Sequence, residues 1–586
     1  MKLEVIDWIL IGIYLVITLY VGFKFKARAS KSLVEYFLGG RSIPWYIAGI
    51  SMVATTFAAD TPLAVTELVN QNGISGNWLW WNMLIGGMLT TFFFAKLWRR
   101  AKILTELELM ELRYSGKAAA FLRGFKSVYL GIFMNVLVIG WVNIALMSIL
   151  KVFFGIPDSH LLWYIALAMV ISASYSTLSG YIGVALTDAV QFIIAMTGSI
   201  ILAVIVISSE KIGGITGLKE QLPEASLNFF PKISFSGDNG ITSVLSISLG
   251  AFLAYTTIQW WASWYPGAEP GGGGYVAQRM MSTRNEKDSI WATLFFQITH
   301  YTVRPWPWIL VGLATIILYP NLPADKLREG YVMAITDFLP AGLRGLLVVA
   351  LLAAYMSTIS TQLNWGASFL VNDLYKRFIK PPEKLSSKIR SEKHYVFVSR
   401  VITILIMIIS LYVTTLITSI SQVWVFILEC GAGLGMVLIL RWYWWRISAW
   451  SEITATIAPF VAYAVSRFIF HLEFPNSFFI TVGFTTVAWL LVTYLTPATN
   501  LDVLKNFCLK VKPDGNWKKI YNELNITYNN KNMSKLYLSW ISSIIMTYSI
   551  LFFSGKFLFH EFKEAAIWFL IAAISFVFLR RNLLKD

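Results

Sequence analysis

Apolar runs long enough to cross a hydrocarbon core recur along the whole chain, separated by polar stretches. On this pattern about fifteen membrane-spanning helices are expected. They begin near Ile6, Ile43, Trp78, Leu122, His160 and Leu186, then near Ile241, Ile290, Leu346, Tyr395, Ile420, Ile453 and Phe478, and finally near Leu536 and Ala565. A polar loop over 209–240 follows the sixth, and a basic, weakly apolar segment over 500–535 precedes the last pair. The opening run MKLEVIDWILIGIYLVITLYVGF lacks a basic leader and a small-residue cleavage site, so it reads as a first span rather than a signal peptide. The fold class that follows is an all-α polytopic membrane protein.

Two spans interrupt the pattern with polar groups. The ninth, LLVVALLAAYMSTISTQLNWGASF, carries Ser357, Thr358, Ser360 and Thr361 at its centre. At about 100° per residue, Ala354, Ser357, Thr358 and Thr361 share one stripe, flanked by Ser360. Such hydroxyls glue helices together or bond their own i−4 carbonyls. Alternatively they are half of a cage of neutral oxygens for a small hard cation. The second span, IAGISMVATTFAADTPLAVTELV, carries Thr55, Thr56, Asp60, Thr61 and Pro62. Proline removes a backbone donor, so a break near 56–60 is expected, freeing carbonyls that can coordinate sodium. Asp60 is then an intramembrane carboxylate and a functional candidate, the alternative being a plain proline kink. A further acid, Asp188 in SGYIGVALTDAVQF, either caps the start of the sixth span or joins the cation cage.

Charge sets the orientation and excludes other classes. Of 586 residues, 56% are hydrophobic and 14% charged, too apolar for a soluble protein of this length. The net charge of +16 is carried by Lys and Arg between apolar runs, which is the positive-inside pattern rather than a nucleic-acid stripe. Lys24, Lys26 and Arg28 follow the first span, Arg99 and Arg100 the third, and Lys376 and Arg377 the ninth. The N-terminus is therefore expected outside and the C-terminus in the cytoplasm, at the plasma membrane. Two cysteines, Cys430 and Cys508, provide neither a disulfide framework nor a thiolate metal site. No GxxxxGK[ST] loop is present to drive transport with ATP, and no nucleophile–base set suggests an enzyme.

FLGGRSIPWYIAGISMVATTFAADTPL, SGYIGVALTDAVQF and LLAAYMSTISTQLNWGASFLVNDLYKRF together resemble the sodium:solute symporter family, over most of residues 5–500. That resemblance implies the leucine-transporter type of fold, two inverted five-helix repeats, here 43–208 and 241–447. The peripheral parts would be 1–42, 448–499 and a hairpin at 536–586, with an extracellular loop at 209–240 and a cytoplasmic linker at 500–535. It implies a main sodium site on the carbonyls of Ala54, Phe57 and Ala354 and the hydroxyls of Ser357 and Thr358. A second sodium would use Asp188, Ser357, Ser360 and Thr361, giving two ions per solute.

Candidate solute contacts are Thr56, Asp60, Thr61, Asn82, Asn143, Gln259, Trp260 and Trp261, since neutral hydrogen-bonding groups beside flat aromatics suit a sugar or polyol. The competing role for the tryptophans is an interfacial belt. Two stretches depart from the family pattern. WASWYPGAEPGGGGYVAQRMM inserts a Pro/Gly-rich run at 266–274 that leaves the inner end of the seventh span undefined. THYTVRPWPW places His300 and Arg304 on the eighth span, where they are expected near the outer surface rather than on an anionic solute.

The expected activity is sodium-coupled symport of a small organic solute by alternating access, sodium and solute each tightening the binding of the other. An amino acid or a carboxylate such as sialic acid is the alternative solute. A proton-coupled carrier or a non-transporting sensor is the alternative activity. No nucleic-acid or obligate protein partner is expected beside the bilayer. Ser357→Ala is expected to abolish sodium-dependent uptake while membrane insertion stays intact; normal sodium dependence in that variant would remove the cation reading of the ninth span.

Overall fold

The computed structural model describes residues 3–230, 249–384, 388–417, 420–527 and 533–583. The start of the expected seventh span at Ile241 and the 231–240 part of the polar loop lie outside these. Among the described residues the chain is helical, with only isolated bridges in place of strands. Among the described residues ten helices are long and apolar enough to cross a membrane, and the bent pair Trp45–Thr55 and Asp60–Asn72 adds an eleventh. The expected fifteen are not counted there: the seventh begins outside the described residues, and three others are interrupted or short. The run from Trp78 is divided into short helices with a π-helical turn at Thr90–Phe94. The Asp158–Ser174 helix is short, and the run from Ile420 breaks between Cys430 and Leu434.

The expected break in the second span is present, with a bend of 56° between the two halves. Pro62 sits in the first turn of the second half, where its missing N–H would have no helical partner anyway. The hydroxyl-rich helix, Leu343–Ser368, runs through a π-helical stretch to Ile379 and is buried along nearly its whole length. It packs along the Gly180–Ile207 helix, which starts at a left-handed glycine. A Cβ at Gly180 would stand 2.8 Å from the Tyr36 carbonyl oxygen. Because that helix starts at Gly180, Asp188 lies two turns inside it and is not a cap.

The Pro/Gly stretch also has a defined place. The helix ending at Ala262 unwinds over 263–273 and resumes as Gly274–Ser282, which carries Gln278 and Arg279. Gly267, Gly271, Gly272 and Gly274 all have positive φ, between 53° and 84°, so only glycine turns the chain there without strain. The stretch is thus the interruption of a second broken helix.

The C-terminal hairpin, Met533–Leu558 and Phe562–Leu583, is docked rather than loose. Trp540 and Tyr548 donate to the carbonyls of Ile85 and Trp81, each at 2.9 Å, and Trp306 donates to Leu551. Elsewhere in the bundle Glu452, fully buried, accepts from Lys126, Arg441 and Tyr114. Nearby, Arg123 joins Asp373 to Glu111, which Arg377 also pairs. Burial alone would raise the Glu111 carboxyl, yet Arg377 and Arg123 hold it below the ordinary range. Removing one partner of a buried ion cluster strands the others. Glu452→Ala is therefore expected to cost about 3–5 kcal/mol, read as a lower unfolding temperature in detergent; an unchanged temperature would show the cluster to be energetically idle.

Candidate ion and solute site

The broken span and the hydroxyl-rich helix meet where the backbone is free. Ala58 N–H turns to Thr61 Oγ1 (3.3 Å) instead of to the carbonyl four residues back, while Phe57 N–H reaches Ala54 O at 3.0 Å. Thr358 Oγ1 donates to Thr55 O at 3.3 Å across the interface. The five expected main-site residues, Ala54, Phe57, Ala354, Ser357 and Thr358, are all buried at this junction. Their donor set is neutral oxygens, the chemistry a small hard cation prefers.

One turn along, the second expected cation site contains a side chain that sequence reasoning assigned no role. Asp188 accepts from Ser51 and Ser357, each at 2.6 Å, and Arg279 Nη2 lies 3.4 Å from its Oδ2. The same guanidinium donates to Thr55 Oγ1 (2.6 Å), Thr361 Oγ1 (3.0 Å) and Ser51 Oγ (3.0 Å). Arg279 and Asp188 are both wholly buried. Ser360 turns back to the Ser357 carbonyl. A positive charge of the protein's own thus stands among Asp188, Thr361 and Ser357 in this structure. The Gln-Arg pair after the Pro/Gly run was the available signal, but only the fold brings it across to Asp188.

Arg304 corrects the expectation for the eighth span. It is 1% exposed and held inside the protein rather than extended from its surface. Its guanidinium donates to the carbonyls of Val53 (3.2 Å) and Thr56 (2.8 Å), to Thr56 Oγ1 (2.8 Å) and to His300 Nδ1 (2.7 Å). It stacks over the rings of Phe57 and Trp308. Those carbonyls are the negative end of the Trp45–Thr55 helix, so the cation closes the broken end electrostatically as well as by hydrogen bonds.

Below this junction lies a cavity of about 130 Å³. Thr56, Asp60, Thr61 and Thr358 line it, with Trp80, Trp141, Tyr265, Tyr275, Tyr301 and Trp424 as aromatic wall and His300 and Gln362 as further polar groups. Asp60 is buried with Oδ1 unpartnered. Five expected contacts do not line the cavity, and most of their polar groups bond within the protein, although Asn82 Oδ1 is buried without a partner. Asn82 donates to Trp78 O and Leu79 O, and Gln259 to Leu79 O. Asn143 is held between Thr414 and Tyr355. The indoles of Trp260 and Trp261 bond the carbonyls one turn back in their own helix. Tyr265 was hidden in the Pro/Gly run, and Trp141 had no signal among so many apolar aromatics.

Comparison with known proteins supports this reading of the chain. The family model described as "Sodium:solute symporter family" matches residues 36–457. The chain is 24% identical to the sodium/glucose cotransporter of Vibrio parahaemolyticus, over 85% of this chain and 92% of that one. It is 26% identical to the sodium/sialic acid symporter of Proteus mirabilis, over 66% and 74%, and 25% identical to the sodium/proline symporter of Staphylococcus aureus, over 75% and 81%. A solved Na⁺-coupled sialic acid symporter in a substrate-bound outward-open state superposes with a TM-score of 0.65 at 22% identity, covering 85% of this chain and 99% of that one. The all-α, leucine-transporter-type architecture expected from the sequence therefore holds.

The Arg279 geometry generates a test that needs no solute. Arg279→Gln leaves the Asp188 carboxylate buried without a cation, at a cost of about 3 kcal/mol or more. Its unfolding temperature is expected to fall in choline or potassium and to recover in sodium. Equal stability in all three salts would show that the arginine does not stand in for an ion.

Proposed function

The chain belongs to the sodium:solute symporter family, and from that premise we propose that it imports a small polyhydroxylated solute, a sugar or polyol, coupled to sodium by alternating access. The observation that carries the solute class is the cavity beside the broken span. Its wall is aromatic and suits the apolar faces of a sugar ring, while Asp60 Oδ1, Thr56 and Thr61 offer acceptors and donors for hydroxyls. The volume limits the solute to a small molecule. The named relatives transport glucose, sialic acid and proline, so the family spans these solute classes.

Sodium would bind at the carbonyls of Ala54, Phe57 and Ala354 and the hydroxyls of Ser357 and Thr358. Binding there joins the broken span to the hydroxyl-rich helix and stabilises the arrangement in which the solute cavity is formed. Solute then permits the inward-facing arrangement, in which the two elements separate and the ion leaves. Sodium and solute favour each other by equal factors because each selects the same arrangement. The membrane potential adds about 2.3 kcal/mol per charge per 100 mV. One ion per solute fits better than the two expected from sequence, because Arg279 already neutralises Asp188. The repeats would be 43–208 and 241–447, with the N-terminus outside, the C-terminus inside and the plasma membrane as location.

An amino-acid solute is the second reading, favoured by the same unpartnered Asp60 oxygen, which would accept an ammonium group. A thermal-shift screen of the purified protein in sodium and in potassium separates the two. Sugars or polyols are expected to stabilise it in sodium alone, followed by uptake into proteoliposomes at one sodium per solute. Sodium-dependent stabilisation by amino acids and not by sugars would overturn the solute class. A flux ratio of two would overturn the ion count, and uptake that tracks a pH gradient without sodium would overturn the coupling.

A further inference from the structure

The unwound stretch 263–273 separates two spaces. Tyr265, Pro266, Gly267 and Ala268 wall the solute cavity, while Glu269, Gly272 and Gly273 close a second cavity of about 20 Å³ on the other side. That second space is the size of a single water molecule. Glu269 is 3% exposed, and neither of its carboxylate oxygens has a hydrogen-bond partner. The N–H groups of Gly267 and of Glu269 itself turn toward it without closing a bond.

A second acid converges on the same place. Glu106, on the segment after the third span, accepts from Gly274 N–H at 2.6 Å. A Cβ on Gly273 would stand 2.9 Å from Glu106 Oε2 and 3.1 Å from Glu269 Cβ, and a Cβ on Gly274 would stand 2.5 Å from Glu269 Oε1. Only glycine leaves room for both carboxyl groups here.

The surrounding charges do not neutralise the pair. Lys126 and Arg441 line the small cavity, but both are bonded to Glu452 behind it. Arg113, the next cation, donates to the carbonyls of Arg441, Trp444 and Trp445. Tyr129 on the wall and Tyr275 on the resumed helix are phenols, neutral at ordinary pH. The two cations that line the cavity are thus engaged by a third acid behind it, and neither is bonded to Glu269 or Glu106. Burying an ionised carboxylate with no paired cation and no closed hydrogen bond is among the costliest arrangements in a protein, and such a group takes a proton instead. Two acids sharing one site do so most readily, because the first negative charge opposes the second.

We propose that Glu269 and Glu106 form a proton-binding carboxyl pair beneath the unwound stretch, with the proton on Glu269, and that loss of this proton loosens the wall between the two cavities. Glu106 keeps its charge, fixed by the Gly274 N–H. When Glu269 ionises, two like charges meet in a space with room for one water, and the glycine-rich stretch has few side chains to resist their separation. The site is distinct from Asp60 and Asp188 and needs neither sodium nor solute to operate.

Infrared difference spectra of the full-length protein in nanodiscs test the assignment, comparing wild type with Glu269→Gln through a pH series. The wild type is expected to show the C=O stretch of a protonated, weakly hydrogen-bonded carboxylic acid at neutral pH, fading as pH rises and lost in Glu269→Gln. Absence of that difference throughout the series would overturn the proposal. So would a band that survives in Glu269→Gln and vanishes in Glu106→Gln. Hydrogen–deuterium exchange over 263–273 tests the loosening separately. At one alkaline pH the stretch is expected to exchange more slowly in Glu269→Gln, which mimics the protonated form, than in wild type. Equal exchange would overturn the mechanical part even where the proton assignment stands.

Discussion

Between Thr55 and Asp60 the backbone leaves its helix inside a bundle where freed carbonyls meet no bulk water. Each such group must be met by another part of the protein or by an ion. Arg304 takes the carbonyls of Val53 and Thr56, and Thr358 takes that of Thr55. The other polar features follow from this one interruption. The eighth span supplies a guanidinium, the hydroxyl-rich helix supplies hydroxyls at helical spacing, and a cavity lined by Thr56, Asp60 and Thr61 lies beside the bend.

Placing cations around the break has a second consequence. Arg304 and Arg279 stand on two sides of the same broken helix, each satisfied by oxygen atoms from elements distant in sequence. Both are planar forks with several donors, a shape that ammonium groups do not reproduce. Between them they occupy oxygen atoms on both sides of the break, while the backbone and hydroxyl oxygens of Ala54, Phe57, Ala354, Ser357 and Thr358 lie buried beside it.

The two broken helices divide the labour differently. The first is opened by a proline in its second half and exposes carbonyls. The second is opened by a run of glycines and exposes side chains, with aromatic groups toward the solute cavity and Glu269 toward the inner cluster. The cluster around Glu452 and the Arg123–Asp373–Glu111 chain ties the helix Glu108–Arg113 to the fourth, ninth and later helices. These buried charges are held by one another, so any rearrangement of the helices they join has to keep them paired.

Period and composition alone established that the chain is a helical membrane protein, because apolar length and cation placement are local properties that no packing can hide. The break at 56–60, the polar stripe on Leu343–Ser368 and Asp60 were visible for the same reason: a proline, four hydroxyls and a carboxylate are anomalies wherever lipid is the solvent. Family motifs carried the fold and the candidate main ion site. What the sequence could not determine was which polar groups are already spent. Asn82, Asn143 and Gln259 are equal candidates by sequence, whereas in the structure their side-chain N–H groups reach neighbouring carbonyls and a hydroxyl and Asn82 Oδ1 stays unpartnered. Arg304 looked like a residue for the membrane surface, and the glycine run like an insertion. Arg279 and Asp188 are 91 residues apart, and no local pattern reports that they meet. Pairing across such distances is decided by tertiary packing, since the cost of an unpaired buried charge is settled only when every neighbour is in place.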